Sequence, residues 1–186
     1  MNETTLSRES IEYLEILSSV FAEIVRKEAA SCESNSDSSI TPSLVQCLQY
    51  IYLHGPSPVR KIATGLAITV PAASQLVERL VRKGLVNREH NKQDRRFASV
   101  SLTEEGIAVV QHARSARTAW LREVLNKMPE DKRRELVDTL EEFIKLILES
   151  SGNVDEACMR CGIDHLAFCI VNKVSVETTG KPMIEF

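Results

Sequence analysis

The chain has 186 residues, 43% of them hydrophobic, which suits a folded core in one large domain or two small ones and excludes disorder as the default. Its opening MNETTLSRES has neither a basic nor an apolar signal region, and no run of 18 apolar residues occurs, so export and membrane insertion are not indicated and a cytoplasmic protein without a membrane partner is expected. The net charge of −3 conceals one cationic block: residues 57–101 carry 9 Lys/Arg against 3 Asp/Glu, whereas 1–56 (3 against 8), 102–150 (8 against 10) and 151–186 (3 against 5) are all acidic. A basic block on an acidic scaffold is the footprint of a phosphate-binding surface.

From Ile11 to Val25, Tyr13, Leu14, Leu17, Val20, Phe21, Ile24 and Val25 recur at spacings of three and four, which predicts an amphipathic helix. The polar run SCESNSDSS, 31–39, predicts a loop. Thr41 and Pro42 then open a second helix, TPSLVQCLQYIYLHG, closed by Gly55. PSPVRKIATGLAIT and VPAASQLVERLVRKG read as two short helices joined around 67–69, a helix-turn-helix. After Gly84 the period changes to two: LVNREH and FASVSL predict a β-hairpin with NKQDRR at its tip. Thr103, followed by Glu104 and Glu105, caps a helix running to about Met128, and Pro129 separates it from the next. That last helix places Leu136, Leu140, Phe143, Ile144, Ile147 and Leu148 on one face, a stripe that needs a partner. Residues 150–153 break the chain before a cysteine-rich tail, in which CIVNKVSVE reads as a short strand.

The fold class is therefore mainly α with a small β-hairpin wing: a winged helix-turn-helix flanked by long dimerisation helices. Four segments follow: 1–40, a dimerisation helix and loop; 41–102, the winged helix-turn-helix; 103–150, further dimerisation helices; and 151–186, the tail. IATGLAITVPAASQLVERLVRKGLVNRE through QDRRFASVSLTEEG resembles the MarR family of transcription regulators, most sharply in LVERLVRKGLV, DRR and LTEEG. The resemblance spans roughly 10–150; Asn91 and Lys92 depart from the family's usual Asp-Pro, and the tail exceeds its usual length. It implies a two-fold dimer that places one helix of each subunit in successive major grooves and each wing tip in a minor groove. The homodimer and a palindromic operator in double-stranded DNA are the expected partners, with a small-molecule effector as a further one.

On the predicted recognition helix Thr69, Ala72, Ser74, Gln75 and Arg79 are placed to reach base edges, while Leu76, Val77 and Leu80 turn to the core. In the wing, Arg95 and Arg96 suit a narrow minor groove, with Asp94 orienting an arginine by a charge-assisted hydrogen bond. Arg60, Lys61, Arg82, Lys83 and Arg88 suit phosphates better than bases. His54 and His112 read as packed or solvated imidazoles, Cys32 as a loop thiol, Cys47 as a buried small hydrophobe, and Trp120 as dimer core or pocket lining.

The tail segment CMRCGIDHLAFC holds three of the five cysteines. In a reducing compartment thiols argue for metal binding, redox sensing or burial before disulfides. Cys158, Cys161 and Cys169 with His165 would complete a tetrahedral zinc site, Gly162 allowing the tight turn beneath the first pair. An iron–sulfur cluster is the alternative, and reduced thiols that bind no cofactor are the third reading. No nucleophile elbow, glycine-rich phosphate loop or paired-carboxylate motif occurs, so an enzyme is not expected. The function expected is a dimeric DNA-binding regulator controlled by a small effector or by a metal or redox centre in the tail. The alternative is a small metal-binding or redox protein using the winged helix as a protein-interaction scaffold, which would not need the cationic block.

Overall fold

The structure, a computed structural model, describes residues 7–30, 40–90, 98–163, 166 and 168–183. Helix α1 (Arg8–Ala30) is followed by α2 (Pro42–His54), strand β1 (Ser57–Pro58), α3 (Val59–Gly65), α4 (Val70–Arg82), β2 (Val86–His90) and β3 (Ala98–Leu102). The long helices α5 (Glu104–Asn126) and α6 (Glu130–Ser151) come next, and two short ones, α7 (Val154–Arg160) and α8 (Ile170–Thr179), form the tail. The predicted fold class is the one observed.

One apolar cluster holds the winged helix together. Leu44, Cys47, Leu48 and Ile51 of α2 meet Ile62 of α3, Val77 and Leu80 of α4, Val86 and Val100 of the sheet and Val110 of α5. Removing each such side chain from water contributes on the order of 2 kcal/mol, so α4 is held by its inner face and leaves the other to solvent. The Tyr50 ring packs against Gly65, where a Cβ would fall 2.0 Å from its nearest ring carbon, and this close approach brings α3 down onto α2.

The sheet is antiparallel in the order β1-β3-β2, with Val86 opposite Leu102, Arg88 opposite Val100 and Ser57 opposite Val100 on the other side. The hairpin is the one its alternation predicts. Strand β1 has no such signal, because two residues carry no period; Ser57 is fully buried and its hydroxyl donates to the Gly55 carbonyl oxygen at 3.1 Å.

The tail departs from expectation. CIVNKVSVE is not a strand but most of helix α8, with Val171 and Val174 three residues apart in a second cluster against Leu148 and Cys158. Valine-rich segments favour strands only where a sheet edge accepts them. Here the neighbour is α6, and Lys173–Glu141 at 2.6 Å and Lys145–Glu177 at 2.5 Å run between the two helices. The apolar stripe of α6 is thus divided: Leu148 is buried by the tail and Ile144 packs beside it, while Leu136, Val137, Leu140, Phe143 and Ile147 remain exposed. On α1, Leu14, Leu17, Val20, Phe21 and Ile24 are exposed as well.

Candidate nucleic-acid interface

Helix α4 starts where Thr69 leaves the extended region and its side-chain oxygen accepts from the Ala72 backbone N–H at 3.3 Å. The cap satisfies one of the donors that a helix start leaves open. The turn before it passes through Ala67, which takes a left-handed φ of 55°, and the Ile68 N–H donates to the Ala63 carbonyl at 3.0 Å. Such a conformation is strained for a residue with a Cβ, and burial of Ala63 and Ile62 below it holds the turn in place.

The face of α4 divides as the sequence predicts for its core side: Ala73, Val77 and Leu80 are buried, and Leu76 is half-buried against the same cluster. Gln75 and Arg79 are exposed on the opposite side, with Arg82 further along. Ala72 and Ser74 are half-buried, and the Ser74 hydroxyl donates to the Val70 carbonyl at 2.9 Å. Its proton is therefore engaged within the helix, which leaves the hydroxyl with acceptor capacity only in this arrangement. Thr69 likewise combines its assigned place on this face with the capping role.

Arg60 and Lys61 are exposed at the start of α3, and Arg88 is exposed on β2, flanking α4 from two sides. Lys83, half-buried, borders a hollow with Arg79, Arg82, Ile40 and Leu85. A second hollow lies between Ala72, Gln75 and Arg79 of α4 and Ser43 and Gln46 of α2. Ser43 and Gln46 were not singled out from the sequence; they lie about 30 residues from Gln75 in the chain and join this face only through the packing of α2 on α4. Asp94, Arg95 and Arg96 of the hairpin tip lie outside the described residues, as do His165 and Cys32.

The tail cysteines are spread over different environments. Cys158 is buried in the cluster with Leu148, Val171 and Val174, and Cys169 is half-buried beside it. Cys161 is exposed at the end of α7, where its sulfur lies 3.5 Å from the Ile163 nitrogen. Burial pushes the Cys158 thiol up, with Cys161, Cys169 and Asp155 adding to the effect, so the site does not favour its thiolate. Among the described residues no three His, Cys, Asp or Glu side chains stand where they could hold a metal ion. Cys47 is fully buried and its thiol is pushed up to about 12 by that burial, in keeping with its reading as a small hydrophobe. His54 is half-buried, its ring 4.5 Å from that of Tyr50 and its Nε2 3.4 Å from the Met159 carbonyl oxygen; His112 is exposed and Trp120 half-buried. Among the described residues no helix is long and apolar enough to cross a membrane.

Residues 40–97 match the model of the family described as "MarR family". The HTH-type transcriptional repressor MdtR of Bacillus subtilis is 30% identical over 100 residues, which take in 54% of this chain and 64% of that protein. Among solved structures, a MarR family protein from Bacillus stearothermophilus superposes with a TM-score of 0.64 at 22% identity, covering 79% of this chain and 99% of its own. FabT of Streptococcus pneumoniae, in complex with DNA, superposes with a TM-score of 0.60 at 19% identity, covering 74% and 96%. At these identities the two structures speak for the fold.

Proposed function

The chain belongs to the MarR family through its winged helix, and on that premise we propose that it is a dimeric, non-enzymatic, sequence-specific DNA-binding transcription regulator. The observation that carries the proposal is the outer face of α4. Gln75 and Arg79 stand exposed on a helix locked from beneath by Val77 and Leu80, inside the one cationic block of an acidic chain.

Arg and Gln on such a helix match the donor and acceptor pattern of guanine and adenine in the major groove. Arg60, Lys61, Arg82, Lys83 and Arg88 supply phosphate contacts, which set register and salt dependence. Arg95 and Arg96, with Asp94, are assigned to the minor groove on sequence grounds. The exposed apolar faces of α1 and α6 support a two-fold dimer, whose paired recognition helices require a palindromic site with half-sites one helical turn apart, about 34 Å.

Control of DNA binding is assigned to a small effector or to the tail. Zinc or an iron–sulfur cluster on Cys158, Cys161, Cys169 and His165 rests on sequence spacing, because the described thiols do not by themselves assemble a ligand set.

The test is binding to duplexes selected from a random pool. A palindromic consensus should emerge, with Gln75→Ala relaxing discrimination at one base pair by ~1–3 kcal/mol and Arg96→Ala weakening all duplexes alike. Selection that enriches no sequence, or variants that bind every duplex like the parent, would remove the assignment.

A further inference from the structure

Helix α6 is held within its own chain by the tail: among the described residues its chief packing partners are α7 and α8. The joint is short. Gly152, whose left-handed φ of 65° reverses the chain, and Asn153 are the only residues between α6 and α7.

Helix α7 then reaches both hydrophobic cores. Cys158 is buried in the cluster with Leu148, Val171 and Val174, whereas the next residue, Met159, packs against the core of the winged helix. Adjacent residues on a helix point about 100° apart, so two turns of helix touch both clusters at once. On the winged-helix side α3 packs on α7, the His54 Nε2 of α2 lies 3.4 Å from the Met159 carbonyl oxygen, and a Cβ on Gly162 would come 3.5 Å from the Gln49 side-chain oxygen. On the other side α8 is fastened to α6 by Val171 and Val174 and by the Lys173–Glu141 and Lys145–Glu177 ion pairs.

This fastening leaves the rest of the apolar stripe open. Glu141, Ile144, Lys145 and Leu148 meet the tail, while Leu136, Leu140, Phe143 and Ile147 stay exposed. At 3.6 residues per turn the two sets point about 120° apart, so one helix serves both contacts.

We propose that the C-terminal tail is a brace that sets the winged helix at a fixed angle to α6, with Met159 as its positioning residue. For its consequence the inference rests on the dimeric DNA-binding reading above. In a two-fold dimer each α4 is placed relative to its partner through the dimerisation helices, so whatever ties α6 to α2 and α3 restricts the separation of the recognition helices. One base pair added between half-sites displaces them by about 3.4 Å and turns them by about 34°. A braced dimer cannot follow both.

The full-length parent, Met159→Asp and Val174→Asp are compared on duplexes whose half-sites, taken from the selected consensus, stand closer or further apart in single base-pair steps. Either aspartate enters an apolar contact without a partner and releases one end of the brace. The parent should prefer one spacing by about tenfold over its neighbours, and both variants should level that preference to about threefold or less. Partial unfolding alone would weaken every spacing by the same factor and leave the ratio unchanged. Amide hydrogen exchange without DNA is the second readout: Met159→Asp should speed exchange several-fold in the 141–148 turns of α6, and Val174→Asp likewise in α3, each at the opposite end of the brace. A parent that binds all spacings alike, variants that keep its preference, or exchange that rises only beside each substitution would overturn the brace. If the parent binds no palindromic duplex, the regulator reading fails, and the exchange experiment alone decides for or against the brace.

Discussion

Replacing Gly106 by alanine probes the joint between the winged helix and α5. A Cβ built at Gly106 falls 2.1 Å from the Leu85 carbonyl oxygen, which is backbone and cannot swing aside. That carbonyl already accepts from the Thr103 N–H at 3.1 Å, and the Thr103 hydroxyl donates to the Gly84 carbonyl at 2.8 Å while accepting from the Gly106 N–H at 3.0 Å. The start of α5 is thereby stitched to the start of β2, and relief of the overlap must stretch one of these bonds. Overpacking costs about 1–3 kcal/mol, and the upper end applies where backbone is the obstacle. Alanine returns at most about 1 kcal/mol of helix propensity, leaving a net loss of about 2 kcal/mol. For a chain of this size that is a fall in Tm of about 4–8 °C, read by circular dichroism at the helix band. An unchanged or raised Tm would refute the packing argument, because only a joint loose enough to move by about an ångström could absorb the methyl group.

Stability should fall in alkali. The Cys47 thiol is raised from 9.0 to about 12 and the Tyr50 phenol is raised from 10.0, both by burial, so the folded state holds their protons more tightly than the unfolded one. The Cys47 contribution is whole below 9.0 and is lost as pH climbs toward about 12; urea titrations should show Cys47→Ala flattening that limb, and identical limbs would contradict it. Phe143→Glu, placed on the exposed stripe of α6, should turn the dimer into a monomer in light scattering; a parent chain that is monomeric at micromolar concentration would dismiss the dimer. Protein purified without oxygen should, on the metal reading, carry zinc near one per chain, or iron with sulfide and a brown colour. Metal-free protein whose DNA affinity ignores Cys158→Ser and Cys161→Ser would eliminate both forms.

Much of this molecule is legible in its residues because the signals are local. Period 3.6 in VERLVR with Thr69 and Pro71 ahead of it marks α4, and the same period states which side is core, since Val77 and Leu80 can only be satisfied by burial. Alternation in LVNREH and FASVSL marks the hairpin for the same reason. The clustering of charge in 57–101 requires no fold at all to be seen.

What needed the tertiary structure is whatever depends on a neighbour distant in the chain. β1 exists because Ser57 finds Val100, and α8 is a helix because its valines meet α6 instead of a sheet edge. The stripe of α6 looks uniform in sequence, yet docking of the tail takes Leu148 from it and leaves Phe143 to solvent. Gln49, Tyr50, Arg117 and Met159 are unremarkable where they stand in the sequence. They form a cavity only because α2, α5 and α7 converge there, and desolvation, which gives energetic weight to a guanidinium and a phenol without a hydrogen-bond partner among the described residues, is a property of that convergence and not of the residues.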